Sequence, residues 1–300
     1  MKFFNAMSLI LFASVFVTAC SQESDAPVPA TPDEPKKLEI KISPSMTESR
    51  ATDYGFESGD CTGLYVVNYT GSVPGSLANS GNYVNNMRFT YNGTWVPDTP
   101  IFWADNETHA DFYLYYPYTN VQSVKAHTFA VKADQSAEAD YKASDLLVGK
   151  TVNVTPSTSA TVIPVSHVMS RIIISLKAGN GFTDQSLAQA AVSVRINGVK
   201  CSSTVDLTTG TVTPTGSATS VTPLYADNTY KALIVPQTVS EGNLITVTVD
   251  GRDFNLKKEF TFESAKSHRF TVTLSKTSNG VNVNINPWVE DGTDNGGTAE

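Results

Sequence analysis

The chain is poor in charge, in cysteine and in the sequence motifs of enzymes. Only 17% of its 300 residues are charged and the formal net charge is −8, which argues against a nucleic-acid partner. Its three cysteines form neither a CxxC pair nor a Cys/His zinc pattern. No phosphate-cradling glycine loop or nucleophile elbow is present. We therefore expect a protein that holds, binds or assembles, without catalytic residues, cofactor or metal.

Long apolar runs are also scarce, and one lies near the N-terminus. The stretch from Met7 to Ala19 follows Lys2 and is too short to span a bilayer as a helix. We interpret residues 1–19 as a signal peptide. Its last residues, with the cysteine that follows, resemble the bacterial lipobox: Val17-Thr18-Ala19-Cys20. We predict lipid attachment at Cys20, which would anchor the protein to a membrane; the alternative is an ordinary signal peptide with an incidental cysteine.

The two ends of the mature chain each carry one short amphipathic strand. Residues 20–36 contain four prolines and should form an extended, lipidated tether. In the following segment, 37–50, the side chains of Leu38, Ile40 and Ile42 alternate with charged ones, which is the pattern of a half-buried strand. We expect Pro44 to end this strand. Near the C-terminus the same alternation recurs at Val281, Val283 and Ile285.

Between these ends, the composition and the spacing of apolar runs predict an all-β protein. Thr, Val, Ser, Asn and Tyr are abundant, and short apolar or alternating runs are separated by turn residues. The expected strands are 63–69, 87–95, 112–116, 128–132, 169–176, 191–196, 204–207, 230–235, 244–249, 254–262 and 268–274. Asp250-Gly251 predicts a hairpin turn, and Gln135–Leu147 is a helix or turn candidate.

A change of composition suggests a division into two domains. The Thr/Ser/Pro-rich residues 151–164 place a boundary near residue 160, giving an N-terminal β-sandwich at 51–160 and a C-terminal one at 161–290. Residues 291–300 are rich in Gly and Asp, and we expect a flexible tail too polar to pack.

Three groups of side chains could carry chemistry, although each also has a plainer structural interpretation. Asp105, Glu107, His109 and Asp111 alternate and could ligate a metal, or they form a solvated loop. His167 has no aspartate near it in sequence, so we expect a strand-edge or interdomain histidine. Four tyrosines could stack on a sugar, or pack in the core: Tyr113, Tyr115, Tyr116 and Tyr118. Pairing of Cys61 with Cys201 is left open, with unpaired thiols favoured.

Several weak motifs occur in an order that resembles the fimbrillin family of Bacteroidales. They are the lipobox, the N-terminal strand, Arg50-Ala51-Thr52, Gly59-Asp60 before Leu64-Tyr65-Val66, Tyr115-Tyr116-Pro117-Tyr118, Ser166-His167-Val168-Met169-Ser170-Arg171 and Pro287-Trp288. The resemblance implies two tandem Greek-key, transthyretin-like β-sandwich domains. It also implies a type V pilus subunit, exported as an outer-membrane lipoprotein, that polymerises at the cell surface with other subunits. In the family's stalk subunits an Arg-specific protease removes the first strand, and a neighbour's strand fills the vacated groove; in anchor or tip subunits one terminal strand can instead stay in its own sheet.

The residues around Arg50 fit that mechanism. Arg50 stands in the polar segment 43–53, and the next basic residue is Arg88, so we predict cleavage between Arg50 and Ala51. Loss of the strand at Leu38–Ile42 would leave an apolar groove, which the strand of Val281, Val283 and Ile285 from another subunit would fill.

A second function class stays open, because a surface lipoprotein can also bind without polymerising. In that case the ligand would be a glycan or a host protein. The long loop Gly71–Asn86, rich in Gly, Ser and Asn, is the candidate for its recognition.

Overall fold

The structure, a computed structural model, describes residues 37–46, 55–276 and 297–299, and these residues are mostly β-strands. The strands are β1 (Ile42–Met46), β2 (Cys61–Asn68), β3 (Val84–Tyr91), β4 (Trp95–Pro97), β5 (Ala110–Tyr116), β6 (His127–Ala130), β7 (Leu147–Val154), β8 (Thr161–His167), β9 (Ser170–Ala178), β10 (Val192–Asp206), β11 (Thr211–Val221), β12 (Leu224–Ala226), β13 (Thr229–Ile234), β14 (Gln237–Val239), β15 (Asn243–Val249), β16 (Arg252–Lys257), β17 (Phe260–Phe262), β18 (Ser267–Leu274) and β19 (Gly297–Ala299). The helices are α1 (Glu138–Ala143) and α2 (Asp184–Gln189). The predicted all-β class is confirmed.

The first half of the chain builds a seven-stranded sheet in the order β1-β8-β7-β5-β2-β3-β4. Most neighbours are antiparallel, but β1 runs parallel to β8 and occupies one end of the sheet. Alternate side chains of β8 are buried at Thr161, Ile163 and Val165, because successive residues of a strand point to opposite faces.

The second half contributes three further sheets. One has the order β11-β10-β15-β16, with β6 also paired to β10. Another has the order β12-β13-β9-β18-β19, in which β18 runs parallel to β9, and β14 pairs with β17. The hairpin turn predicted at Asp250-Gly251 is confirmed: it joins β15 to β16, and both residues have the positive φ of such a turn (49° and 84°).

The residues proposed as a domain boundary are largely in strands. The expected Thr/Ser/Pro-rich connection at 151–164 contains the end of β7 and the first half of β8. Thr and Val favour a pleated, half-buried strand, and this preference outweighs the low hydrophobicity of the segment. β8 lies in the sheet of the first half, whereas β6 pairs with β10. The division into two tandem Greek-key domains stays a prediction.

Two elements differ in detail from the sequence-based expectation. The helix candidate Gln135–Leu147 contains α1, but its last residue already belongs to β7. The last part of the tail expected to be flexible is also different, because Gly297–Ala299 forms β19, parallel to Val272–Leu274 of β18. Backbone groups of any residue type can pair with a free strand edge, so polar composition alone does not prevent this contact.

The buried side chains form three hydrophobic clusters. One lies under the seven-stranded sheet and contains Ile40, Ile42, Phe89 and Phe112. A second belongs to the second half of the chain. The third joins the halves, because it contains residues before position 160 and residues after it: Tyr65, Tyr115, Tyr141 and Leu146 on one side, and Val205, Leu207, Leu233 and Val235 on the other.

Candidate functional site

The N-terminal segment 37–46 lies in an extended conformation with one buried face. Ile40 and Ile42 are 1% and 4% exposed, and Leu38 is half-buried beside them. Lys37, Glu39 and Lys41 are exposed, as the alternating pattern predicts. Burial of an isoleucine side chain contributes roughly 1.5 to 3 kcal/mol, so the two isoleucines fix this segment in place.

Both backbone edges of the segment are hydrogen-bonded, one to residues 101–103 and the other to β8. On one side the Ile40 amide donates to the Ile101 carbonyl oxygen, and the Trp103 amide donates to the Leu38 carbonyl oxygen, each at 2.8 Å. On the other side the Thr161 amide donates to the Lys41 carbonyl oxygen at 2.8 Å, and β1 continues parallel to β8. Residues 101–103 follow β4 in the chain but are not among the strands of the seven-stranded sheet. The segment therefore links the edge of β8 to the stretch that follows β4.

We call the two edges, residues 101–103 and 161–165, together with the core beneath them, the N-terminal seat. The core beneath is built from large apolar side chains, among them Trp103, Phe112, Ile163 and Val165. The sequence pattern predicted the strand that fills the seat, but it did not predict the two edges that border it. The alternation Thr161, Ile163, Val165 was visible, but it lies in a segment that also reads as a Ser/Thr/Pro-rich connection.

The expectation that Pro44 ends the strand is wrong, since β1 runs from Ile42 to Met46. The Lys41 carbonyl accepts from β8, and the direction of backbone groups alternates along a strand. The position of Pro44 therefore places its nitrogen on the side away from β8. Because β1 is an edge strand there, the missing N–H removes no ladder hydrogen bond.

A cavity of about 80 Å³ lies at the far end of β1, and Met46 forms part of its wall. Apolar side chains of Tyr116, Leu147 and Met169 line it together with charged groups. Nδ1 of His167 lies 2.8 Å from the Asp145 carboxylate, so the aspartate that the sequence did not show near this histidine comes from the loop before β7.

Two further charged side chains of the cavity wall, Lys142 and Asp60, have polar partners. Lys142 forms ion pairs with Glu57 at 2.9 Å and Glu138 at 3.2 Å. The Tyr116 hydroxyl donates to Asp60 at 3.0 Å, and burial raises the pKa of Tyr116, as does the Asp60 carboxylate. The cavity wall therefore combines apolar side chains with charged ones.

The four alternating polar residues 105–111 do not converge on one point. Asp105 accepts from the Thr108 hydroxyl at 2.6 Å and from the amides of Thr108 and Glu107, and these hydrogen bonds, that of the hydroxyl first, lower its pKa. His109 contacts Asn153 at 2.6 Å through Nδ1, and Asp111 accepts from the Asn153 amide at 2.8 Å. Among the described residues, no group of three or more His, Cys, Asp or Glu side chains could hold a metal ion.

The side chains of the four tyrosines are buried or half-buried, so they contribute to packing and do not form an exposed platform. Tyr115 is 1% exposed in the shared core, its hydroxyl lies 2.6 Å from the Thr119 carbonyl oxygen, and burial raises its pKa. Tyr113, Tyr116 and Tyr118 are half-buried. The loop expected at Gly71–Asn86 ends earlier, because β3 begins at Val84, and it is anchored, since Leu77 is 5% exposed and Asn79 accepts from the Val124 amide.

The two cysteines within the described part of the chain are unpaired. Cys61 begins β2 and Cys201 lies in β10, and both are half-buried free thiols. Burial raises the pKa of Cys201.

Other predicted site residues lie outside the described ranges. They are Cys20, Arg50, Ala51, Val281, Val283 and Ile285. The helices within the described ranges, α1 and α2, are each six residues long, and neither has the length and apolar character needed to cross a membrane.

Three solved structures share this fold. A protein of Bacteroides uniformis, named provisionally for cell adhesion, is 20% identical with a TM-score of 0.61, and the match covers 80% of this chain and 94% of that chain. A similarly named protein of Bacteroides ovatus is 18% identical with a TM-score of 0.61, over 79% of this chain and 92% of that one. A fimbrial protein of Bacteroides ovatus is 20% identical with a TM-score of 0.51, over 80% of this chain and 49% of that one. At these identities the likeness concerns the fold alone.

Comparison by sequence identifies the family. No curated protein matches the chain. The family described as fimbrillin-like matches residues 49–288, from the segment that holds Arg50 to Trp288. Because this match covers most of the sequence, the chain belongs to the fimbrillin-like family.

Proposed function

We propose that the chain is a subunit of a cell-surface type V pilus, exported as a lipoprotein through Cys20 and assembled by donor-strand exchange. The observation that carries the proposal is the N-terminal seat. A segment at the start of the described chain lies between β8 and residues 101–103, with backbone hydrogen bonds on both sides and isoleucines beneath. An element of this kind can be replaced by an equivalent strand from another molecule.

Removal of the segment would leave a surface that must be covered again. The amides of Trp103 and Thr161 would lose their acceptors, and the β8 edge would become free from Thr161 to Val165. The core that Ile40 and Ile42 cover would open to water. Free strand edges and exposed apolar side chains together favour association with a further strand.

The position of Arg50 supports removal by an Arg-specific protease. Arg50 follows the last residue of β1, Met46, by four positions, so cleavage between Arg50 and Ala51 would release β1 whole. The family match begins at residue 49 and so leaves the strand outside it. Cleavage changes the formal net charge only from −8 to −7, so assembly depends on the strand and not on charge.

The C-terminal segment of a neighbouring subunit is the proposed donor. Val281, Val283 and Ile285 repeat the alternation of Leu38, Ile40 and Ile42. Because donor and seat are formed by different segments of the chain, each added subunit offers a new seat or donor, and the contact propagates into a filament.

The test is treatment of the full chain with an Arg-specific protease, followed by gel electrophoresis in SDS without heating and by electron microscopy. We expect an N-terminal Ala51 by mass spectrometry, SDS-resistant ladders and fibres. The matched control is Arg50→Lys, which keeps the charge but not the cleavage site and should stay monomeric. Persistent monomers after complete cleavage would contradict the proposal and favour a tethered protein that binds glycans or host proteins.

A further inference from the structure

The two end segments match in more than their apolar alternation. When residues 38–46 are aligned with residues 281–289, an offset of 243 positions, the apolar positions of the two segments coincide and so do their prolines. The apolar and proline positions of the first segment are Leu38, Ile40, Ile42, Pro44 and Met46, and those of the second are Val281, Val283, Ile285, Pro287 and Val289. The match predicts not only that the second segment fits the seat but also how it is aligned there.

The shared proline restricts the alignment because the seat accepts proline only at alternate positions. A residue facing β8 must offer its N–H to the ladder, whereas Pro44 lies at a position that faces away. A shift of the incoming strand by one residue would turn Pro287 toward β8 and would also turn its three apolar side chains out of the core. A shift by two residues keeps the apolar side chains pointing into the core. However, one of the three positions held by Leu38, Ile40 and Ile42 would then not receive a valine or isoleucine.

The two segments differ on the outer face, and there the seat has an uncovered apolar surface. In β8, Val162 is 56% exposed and Pro164 is exposed beside it. Val152 of the adjacent strand β7 is 52% exposed, and Thr151 before it donates to the Val162 carbonyl oxygen at 2.8 Å. The ladder partners of Val162 and Pro164 in this chain are Ser43 and Ser45, which are too small and polar to cover them.

In the matched alignment the counterpart of Ser45 is Trp288. We propose that the seat takes residues 281–289 of a second copy of this chain in this one register, parallel to β8, with Trp288 covering Val162 and Pro164. The inference rests on the proposed function and adds to it the register of the donor, its direction and an outer apolar contact that the resident strand lacks. Because the incoming strand makes this contact and the resident strand does not, the exchange favours the second copy.

Disulfide trapping tests the register directly. Ladder partners on neighbouring strands are about 4.8 Å apart, within the span of a disulfide, whereas a residue two positions further along lies beyond about 7 Å. The acceptor is the chain with Val162→Cys after cleavage at Arg50. The donor is the full chain with Arg50→Lys and Asn286→Cys. Because it is not cleaved, its N-terminal strand still fills its own seat, and it can only donate its C-terminal segment. Asn286 is the counterpart of Ser43, the ladder partner of Val162.

We expect a disulfide between positions 162 and 286 under mild oxidation, identified by peptide mapping. The matched control donor carries Asn284→Cys in place of Asn286→Cys and should give at least about tenfold less product. A donor without an added cysteine reports any reaction of Cys61 or Cys201. A preferred disulfide to position 284, or ladders without any disulfide to position 286, would overturn the register while leaving strand exchange intact. Absence of ladders from the unsubstituted chain would overturn the proposed function itself.

The outer contact has its own test in the same assembly assay. Trp288→Ala on the donor and Val162→Asp on the acceptor should each reduce ladder formation about tenfold or more, and Trp288→Phe should restore most of it. The matched control is Val96→Asp, because Val96 is similarly exposed at 50% but lies in β4 at the other end of the sheet. Equal ladders from Val162→Asp and Val96→Asp, with unchanged thermal midpoints, would contradict a role for this surface.

Discussion

At the residue scale, the side chain of Gln135 acts as a substitute for a neighbouring strand. Gln135 is completely buried, its Nε2 donates to the Leu233 carbonyl oxygen and its Oε1 accepts from the Leu233 amide, both at 2.8 Å. Nε2 also lies 3.0 Å from the Lys132 carbonyl oxygen. One amide therefore satisfies both backbone groups of a residue in β13, where an unpaired buried group would be costly.

We expect Gln135→Leu to lower the free energy of unfolding by about 1 to 3 kcal/mol, because the Leu233 amide and carbonyl lose their partner without access to water. Urea unfolding followed by circular dichroism measures the change. The control is Gln122→Leu, since Gln122 is exposed and should tolerate the same substitution. Equal effects of the two substitutions would contradict the role assigned to Gln135.

Two buried histidines should make the fold sensitive to acid. Burial lowers the pKa of His127, whose Nε2 has no hydrogen-bond partner among the described residues, and burial also lowers the pKa of His268. In the unfolded chain each pKa returns to about 6.5, so the unfolded state binds more protons as the pH falls below that value. The stabilisation is complete above about pH 6.5 and is lost as the pH falls toward the folded pKa values.

We therefore expect the free energy of unfolding to decrease between pH 7 and pH 5. Urea titrations at pH 7, 6 and 5 measure this slope for the unsubstituted chain and for His127→Gln. The variant is less stable at pH 7 but should show a smaller loss on acidification, since one of the two titrating groups is gone. An unchanged slope would show that His127 does not contribute to it.

At the scale of elements, the strand that fills the N-terminal seat is held by its isoleucines more than by its charges. We expect Ile40→Ala to loosen the segment, because truncation of a fully buried isoleucine costs about 2 to 5 kcal/mol. Hydrogen exchange should then accelerate at the Trp103 and Thr161 amides, which donate to this segment. Lys41→Ala, on the exposed face of the same segment, is the control and should leave both rates unchanged.

The element scale also shows where sequence patterns succeed and where they fail. Alternating apolar residues correctly predicted the buried face of the N-terminal segment and most strands from β2 to β18, because side-chain direction is a local property of a strand. The strands β7, β8, β11, β12, β14 and β19 were missed. β8 and β11 are rich in Thr, Ser and Pro, whereas β12, β14 and β19 are only three residues long, and in both cases the pairing with a neighbouring strand decides whether such residues form a strand.

At the scale of the whole molecule, the shared core predicts coupling between the two halves of the chain. Buried residues from both sides of position 160 belong to one cluster, and β6 of the first half pairs with β10 of the second. We expect a single calorimetric transition, and Leu233→Ala should lower its midpoint without splitting it. Two separate transitions in the unsubstituted chain would contradict this coupling and would indicate that the halves unfold independently.

The sequence alone determined the all-β class, the family resemblance and the amphipathic segments at the two ends of the chain, because each depends on residues close together along it. Only the tertiary structure decided that the first segment lies between β8 and residues 101–103, that Pro44 lies within the strand, and that Val162 and Pro164 remain uncovered. Those features depend on which strands become neighbours, and residues 40, 101 and 161 meet only when the chain has folded.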